Sequence, residues 1–123
     1  MTEEIRWALQ NGDMDKVNEL FSKGFDANKE MGLQGRRPLH IAADYGQKDV
    51  LALLLQKGAD INAEDRNGIT PLLATIWEGH YDCAEFLLEK GATPNGKAPD
   101  GSTYVEASET KEIKELLKKH GAK

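Results

Sequence analysis

The chain has 123 residues, 39% apolar and 30% charged, a length and composition that suit one globular domain and exclude membrane-like and disordered classes. Its longest apolar run, Val50 to Leu55, falls far below the roughly 20 residues a membrane helix needs, and a single cysteine, Cys83, excludes an internal disulfide and suits a reducing compartment. Net charge is −5, with residues 111 to 123 at +3 and the first 110 residues at −8; an acidic body does not suit a phosphate backbone, whose binding needs clustered Lys and Arg, and complements a basic protein surface instead.

The elements recur with a period of 33 or 34 residues: Gly12, Gly46 and Gly79 keep it, as do Gly24, Gly58 and Gly91, and Asn28, Asn62 and Asn95. The N-terminus, Met1-Thr2-Glu3-Glu4, has neither the basic start nor the apolar stretch of a secretory signal. Ile5 to Asn11 then opens a first helix pair that lacks a Pro-Leu-His start, as a terminal cap does. Trp7 matches Ile41 and Ala74 in the repeat frame, which are packing positions. No repeat precedes it, however, so a core reading and a partner-contact reading both stand.

Each second helix ends in a lysine and a glycine (Lys23-Gly24, Lys57-Gly58, Lys90-Gly91). The cation favours the negative helix end, and glycine can take the left-handed position that closes it. The first finger follows, Met31-Gly32-Leu33-Gln34-Gly35-Arg36-Arg37. Its two glycines, exposed-looking leucine and paired arginines are not explained by the scaffold. Pro38 and Pro71 stand where an inner helix begins and an N–H would be unpaired anyway, and Thr70 can cap the second of these helices. Ala42, Ala43 and Ala74 keep the inner helices thin, and Gly46 and Gly79 allow the turns. The outer helices carry apolar residues at helical spacing: Val50, Leu51, Leu53 and Leu54, then Cys83, Phe86 and Leu87, then Ile113, Leu116 and Leu117. In the other fingers Asn67-Gly68 and Asp100-Gly101 favour tight turns with positive φ. The last repeat is three residues short between its helices, and its final helix is Lys- and Glu-rich outside, as a cap requires.

Arg37-Pro38-Leu39-His40-Ile41-Ala42 and Thr70-Pro71-Leu72-Leu73-Ala74-Thr75 resemble the Thr-Pro-Leu-His-x-Ala signature of ankyrin repeats. The resemblance implies an all-α fold: a single domain over 1–123, an ankyrin-repeat solenoid of four helix-turn-helix repeats (about 1–33, 34–66, 67–99 and 100–123) with β-hairpin fingers and both ends capped. Such arrays bind proteins through finger tips and the inner-helix face. The candidate protein-binding residues are those that vary there between repeats. They are Leu33 and Arg36 (with Gln34) in the first finger, Asp44 and Tyr45 on the second repeat's inner helix, and Arg66 and Ile69 (with Asn67), Trp77 and Glu78 in the third, with Trp7 added from the cap. Aromatics beside charges on a concave face are frequent interface anchors; the plainer reading of Trp77 is packing on its neighbours.

No catalytic, metal or cofactor role is expected. His40, His80 and His120 lie in different repeats without ligand spacing, and His40 belongs to the motif whose imidazole ties repeats together. Cys83 reads as an inert buried thiol, and no nucleophile or phosphate-binding motif is present. Asp44 and Glu78 read as surface charge with no cleft around them, and the lysines of the tail as a solvated helix face.

Beyond the general repeat, the chain resembles the myotrophin-like ankyrin proteins. The likeness rests on Trp7-Ala8-Leu9 with Asn11-Gly12-Asp13, Ala42-Ala43-Asp44 with Gly46-Gln47, Ile69-Thr70-Pro71-Leu72-Leu73, Glu78-Gly79-His80, Pro99-Asp100-Gly101 with Glu106-Ala107, and the shortened last repeat. The resemblance implies a monomeric cytoplasmic protein, with nuclear entry left open. Its partner would be the heterodimeric actin-capping protein, kept off filament barbed ends by a steric mechanism. Trp7, Asp44, Tyr45, Trp77 and Glu78 would carry that role. Leu33-Gln34 departs from the family, which has an acidic residue followed by glycine there. Two other interaction classes are compatible with an ankyrin array: an inhibitor of a protein kinase, such as the four-repeat inhibitors of cyclin-dependent kinases, and an adaptor within a larger assembly. The intact Pro38 to Tyr45 helix counts against the first, since those inhibitors have a degraded inner helix in that repeat.

Overall fold

Residues 2–123 are described by a computed structural model, apart from the side chain of Thr2. Met1, read above as part of an N-terminus without signal character, lies outside them. Eight helices follow in chain order: α1 (Thr2–Asn11), α2 (Met14–Ser22), α3 (Pro38–Asp44), α4 (Lys48–Gln56), α5 (Pro71–Glu78), α6 (Tyr81–Glu89), α7 (Tyr104–Ala107) and α8 (Lys111–Lys119). They stack in two layers. The inner layer runs α1, α3, α5, α7 and the outer runs α2, α4, α6, α8, with each helix touching its neighbour in the row and its partner across the turn.

The starts of the inner helices follow from their residues. Pro38 and Pro71 occupy the first turns of α3 and α5. Thr70 Oγ1 accepts the Leu73 N–H at 3.2 Å. Before α3 the corresponding residue is Arg37, which has no capping hydroxyl; there His40 Nδ1 accepts the Arg37 N–H at 3.0 Å. In α7, Thr103 Oγ1 accepts the Glu106 N–H and Glu106 Oε1 accepts the Thr103 N–H, a reciprocal cap on a helix of only four residues.

The inner layer is thin because Ala42, Ala43 and Ala74 are buried between larger neighbours. Around them the largest enclosed side chains are Leu39, Ile41, Leu72, Leu73 and Ile76, joined from the outer layer by Leu51, Leu54, Leu87, Ile113 and Leu117. Side chains also tie consecutive turns. Gln47 Nε2 donates to the Gln10 carbonyl at 2.8 Å and His80 Nε2 to the Asp44 carbonyl at 2.9 Å. The same turn before α8 makes no such tie, because Thr110 Oγ1 accepts the Ile113 N–H instead. Gly46 has a φ of +68°, and a Cβ there would lie 2.9 Å from the His80 imidazole, so both backbone and tie require glycine.

The fingers are loops held by few backbone bonds. Isolated bridges join Met31 to Arg36 and Lys97 to Thr103, and no strand is present among the described residues. Asn67 and Asp100 stay at negative φ; only glycines take positive values. The turns therefore differ from the two-residue hairpin type suggested by Asn-Gly and Asp-Gly. In the second finger, Asp65 Oδ1 accepts the Asn67 and Ile69 N–H groups at 2.8 and 3.0 Å, and the Asp65 and Gly68 N–H groups donate to the Ile69 and Asp65 carbonyls, so side chain and backbone shape the loop together. No described helix is long and apolar enough to cross a membrane.

Candidate functional site

The concave side of the inner layer gathers six of the nine candidate residues. Arg36, Asp44, Ile69, Trp77 and Glu78, with Gln34, Asp65 and Asn67, line a shallow hollow of about 330 Å³. A second hollow of about 470 Å³ beside it is lined by Asp44, Tyr45, Glu78 and His80. The expectation that no cleft surrounds Asp44 and Glu78 is thus corrected: both residues border these hollows. The reason lies in the repeat frame. Asp44 and Trp77 occupy equivalent positions two residues before Gly46 and Gly79, as Tyr45 and Glu78 do one residue before them, so stacking α3 on α5 sets two aromatics and two acids side by side. Tyr45 and Trp77 are 52% and 43% exposed, large values for aromatics on a packed array.

The charges of the hollow are already partly paired. Arg36 Nη1 meets Asp44 Oδ2 at 2.5 Å, and Arg36 Nη2 donates to the His40 carbonyl at 3.4 Å. Arg36 Nε lies 4.0 Å from Asp65 Oδ2, and neither of those atoms has a hydrogen-bond partner. Glu78 enters no ion pair among the described residues. Arg36 therefore serves as the internal counter-ion of Asp44 and Asp65, and the unneutralised acid beside Trp77 is Glu78. Sequence reasoning missed Asp65, whose side chain is 1% exposed; its signal was the Asp65-Arg66-Asn67-Gly68 turn, in which aspartate accepts backbone N–H groups.

Trp7 and Leu33 stand apart from the hollow, exposed by 55% and 85%. Trp7 is not a core residue, although its repeat equivalents Ile41 and Ala74 are buried. Among the described residues no inner helix lies on the far side of α1, and there Ile5, Ala8 and Leu9 fill the core while Trp7 faces out. Arg66 is exposed beside the first finger, with its N–H donating to the Gln34 carbonyl at 2.8 Å. Ile69 is half-buried against the core.

The remaining titratable groups behave as scaffold. His40 is fully buried, and burial, with Arg36 nearby, holds its imidazole below the usual histidine range. Its Nδ1 accepts from Arg37 N–H, so Nε2 carries the proton and donates to the Ile69 carbonyl at 2.7 Å. Cys83 is buried in α6, and burial pushes its thiol up. Among the described residues no group of His, Cys, Asp or Glu is arranged to hold a metal ion. A further hollow of about 510 Å³, between the start of α6 and α8, is lined by none of the candidate residues.

Stacked helix pairs tied turn to turn, with varied residues on one concave face, define a repeat protein built for macromolecular recognition. A family model described as Ankyrin repeats (3 copies) matches residues 5–98. Myotrophin of Xenopus tropicalis is 50% identical over 114 residues, covering 93% of this chain and 96% of that protein, and myotrophin of Rattus norvegicus is 51% identical over the same shares. By contrast, serine/threonine-protein kinase 12 of Arabidopsis thaliana is 35% identical over 72% of this chain but only 19% of its own length. The chain belongs to the ankyrin-repeat family, as a myotrophin-like member that matches the myotrophins along nearly their whole length.

Proposed function

We propose that this chain is a non-enzymatic regulator that binds the heterodimeric actin-capping protein through its concave face and keeps it from barbed ends, so that filaments elongate. The observation that carries the reading is the meeting of Asp44, Tyr45, Trp77 and Glu78 around neighbouring hollows on an acidic body. A positively charged surface, such as one shaped to grip actin, is the natural complement of that face. Trp77 and Tyr45 supply rigid apolar area, Glu78 an unneutralised charge, and Asp44 a carboxylate held in place by Arg36. Trp7, Leu33, Arg36, Arg66 and Ile69 complete the proposed contact set around it.

The mechanism is occlusion, and it needs no cofactor, nucleic acid or membrane. On this reading the chain acts as a cytoplasmic monomer of one domain with four repeats and hairpin-like fingers, and entry to the nucleus is compatible with it. The polar outer sides of α1 and α8 serve as caps.

The test is barbed-end elongation of actin with capping protein present and this chain titrated in. Restored elongation is expected, lost in Trp77→Ala and Glu78→Arg proteins that keep their thermal melt. Elongation that stays blocked at saturating, well-folded protein would exclude capping protein as the partner.

A further inference from the structure

The first finger carries one residue more than its counterpart. Ten positions separate Asn28 from Pro38, whereas nine separate Asn62 from Pro71, and this accounts for the 34- and 33-residue spacings of the glycines. The added length forms a four-residue tip, Gly32-Leu33-Gln34-Gly35, between the bridged residues Met31 and Arg36. Gly32 and Gly35 take φ values of +92° and +69°, and Leu33 stands between them as the most exposed large apolar side chain described, at 85%.

The tip is not loose. Met31 at its root is buried, and its N–H donates to the Arg36 carbonyl at 2.6 Å. Gln34 fastens the other side to the second finger: its carbonyl accepts the Arg66 N–H at 2.8 Å, and its Oε1 accepts from Asn67 Nδ2 at 2.9 Å. An inserted residue has thus been spent on a leucine that touches little of its own protein, yet is clamped on both sides and stands next in the chain to Gln34, which lines the recognition hollow. Scattered surface leucines need no explanation; one at the apex of an inserted, braced loop does.

Its surroundings differ from the acidic face. The Arg6 guanidinium lies 3.6 Å from where a Cβ on Gly32 would be, and the Arg66 Cγ lies beside Gly35 together with the Glu30 carboxylate. Two arginines and one acid thus border the tip, an excess of one positive charge.

We propose that Leu33 is a preorganised apolar anchor, which enters an apolar cavity edged by a carboxylate on the protein partner bound by the concave face. Bracing by Gln34 means that little loop freedom remains to be lost on binding, so the buried leucine area converts to affinity. This inference rests on the capping-protein reading, which supplies the partner for its test.

The experiment is a fluorescence titration of purified capping heterodimer with the whole chain and its variants, alongside thermal melts. Leu33→Ala is expected to weaken binding about tenfold, the loss of most of one buried leucine side chain. Leu33→Glu should weaken it further, because a charge would enter the cavity, while Leu33→Met should stay within about threefold, because it conserves volume. Melts should not change, since the side chain is solvated in the free chain. If Leu33→Ala and Leu33→Glu bind as tightly as the unsubstituted chain while Trp77→Ala weakens binding, the anchor is overturned and the partner stands. If the unsubstituted chain does not bind at all, both inferences fall together.

Discussion

Arg36 illustrates how a residue's role can be hidden by its neighbours. The sequence marks it as a variable, charged finger residue, and its composition alone suggests a cation offered to a partner. In the fold it turns inward to Asp44 and Asp65, so it organises the acidic face rather than opposing it. His40 was fully legible, because Pro-Leu-His carries one physical requirement: an imidazole that accepts at one nitrogen and donates at the other. That requirement makes it titrate as a stability switch. A second proton would go on Nδ1, which faces the Arg37 N–H and has no room for one. His40 has its folded pKa lowered, so below about pH 6.5 the unfolded chain takes up a proton that the folded chain resists, and stability falls as pH falls. Denaturant midpoints measured from pH 7 to pH 5 should drop. In His40→Asn protein the drop should be visibly shallower; an equal slope would show that His40 is not its source. The carboxylates with lowered values, Glu4, Glu19, Asp100 and Glu106, lose their contributions only at still lower pH, so the two windows separate.

At the level of elements, the helices were readable from different signals in the two layers: a proline at the start of the inner helices α3 and α5, and apolar spacing with a lysine-glycine end in the outer helices α2, α4 and α6. The fingers were not, because their shape comes from individual side-chain and backbone bonds such as those of Asp65 to Asn67 and Ile69, which leave no periodicity to read. Nor could spacing reveal that Trp7 faces outward, since its repeat equivalents are buried. The outer layer is held mainly by burial, with Lys48 over the Phe86 ring and Lys57 over the Phe21 ring as lesser ties. Leu54 of α4 is fully enclosed, so Leu54→Ala should cost about 2–5 kcal/mol by lost transfer and cavity formation. Chemical denaturation would measure it as a lower midpoint at unchanged slope. A midpoint within experimental error of the unsubstituted chain would mean that the outer helices do not stack as described.

For the whole molecule, charge distribution sets how a partner is met. The first 110 residues carry −8 while the last 13 carry +3, so the body that bears the concave face is net negative, with the single charge of Arg36 shared between Asp44 and Asp65. Association with a basic partner should therefore slow steeply as salt is raised from 0.05 to 0.5 M, while dissociation changes little. Stopped-flow mixing at a series of sodium chloride concentrations separates the two rates, and a salt-independent association rate would rule out electrostatic steering. The ties between turns have a different consequence. Gln47 and His80 bolt the first three turns together, whereas Thr110 leaves the last turn unbolted and α7 is a single short turn of helix. Pulled by its two ends, the molecule would behave as a spring with one weak coil. The final helix pair, held by Thr70 to the Tyr104 hydroxyl and by Asn95 to Gly121 and Lys123 but by no bolt at the turn, would peel away first and the concave face would keep its shape behind it, so a load on the C-terminus would lengthen the chain before it loosened the grip on a partner.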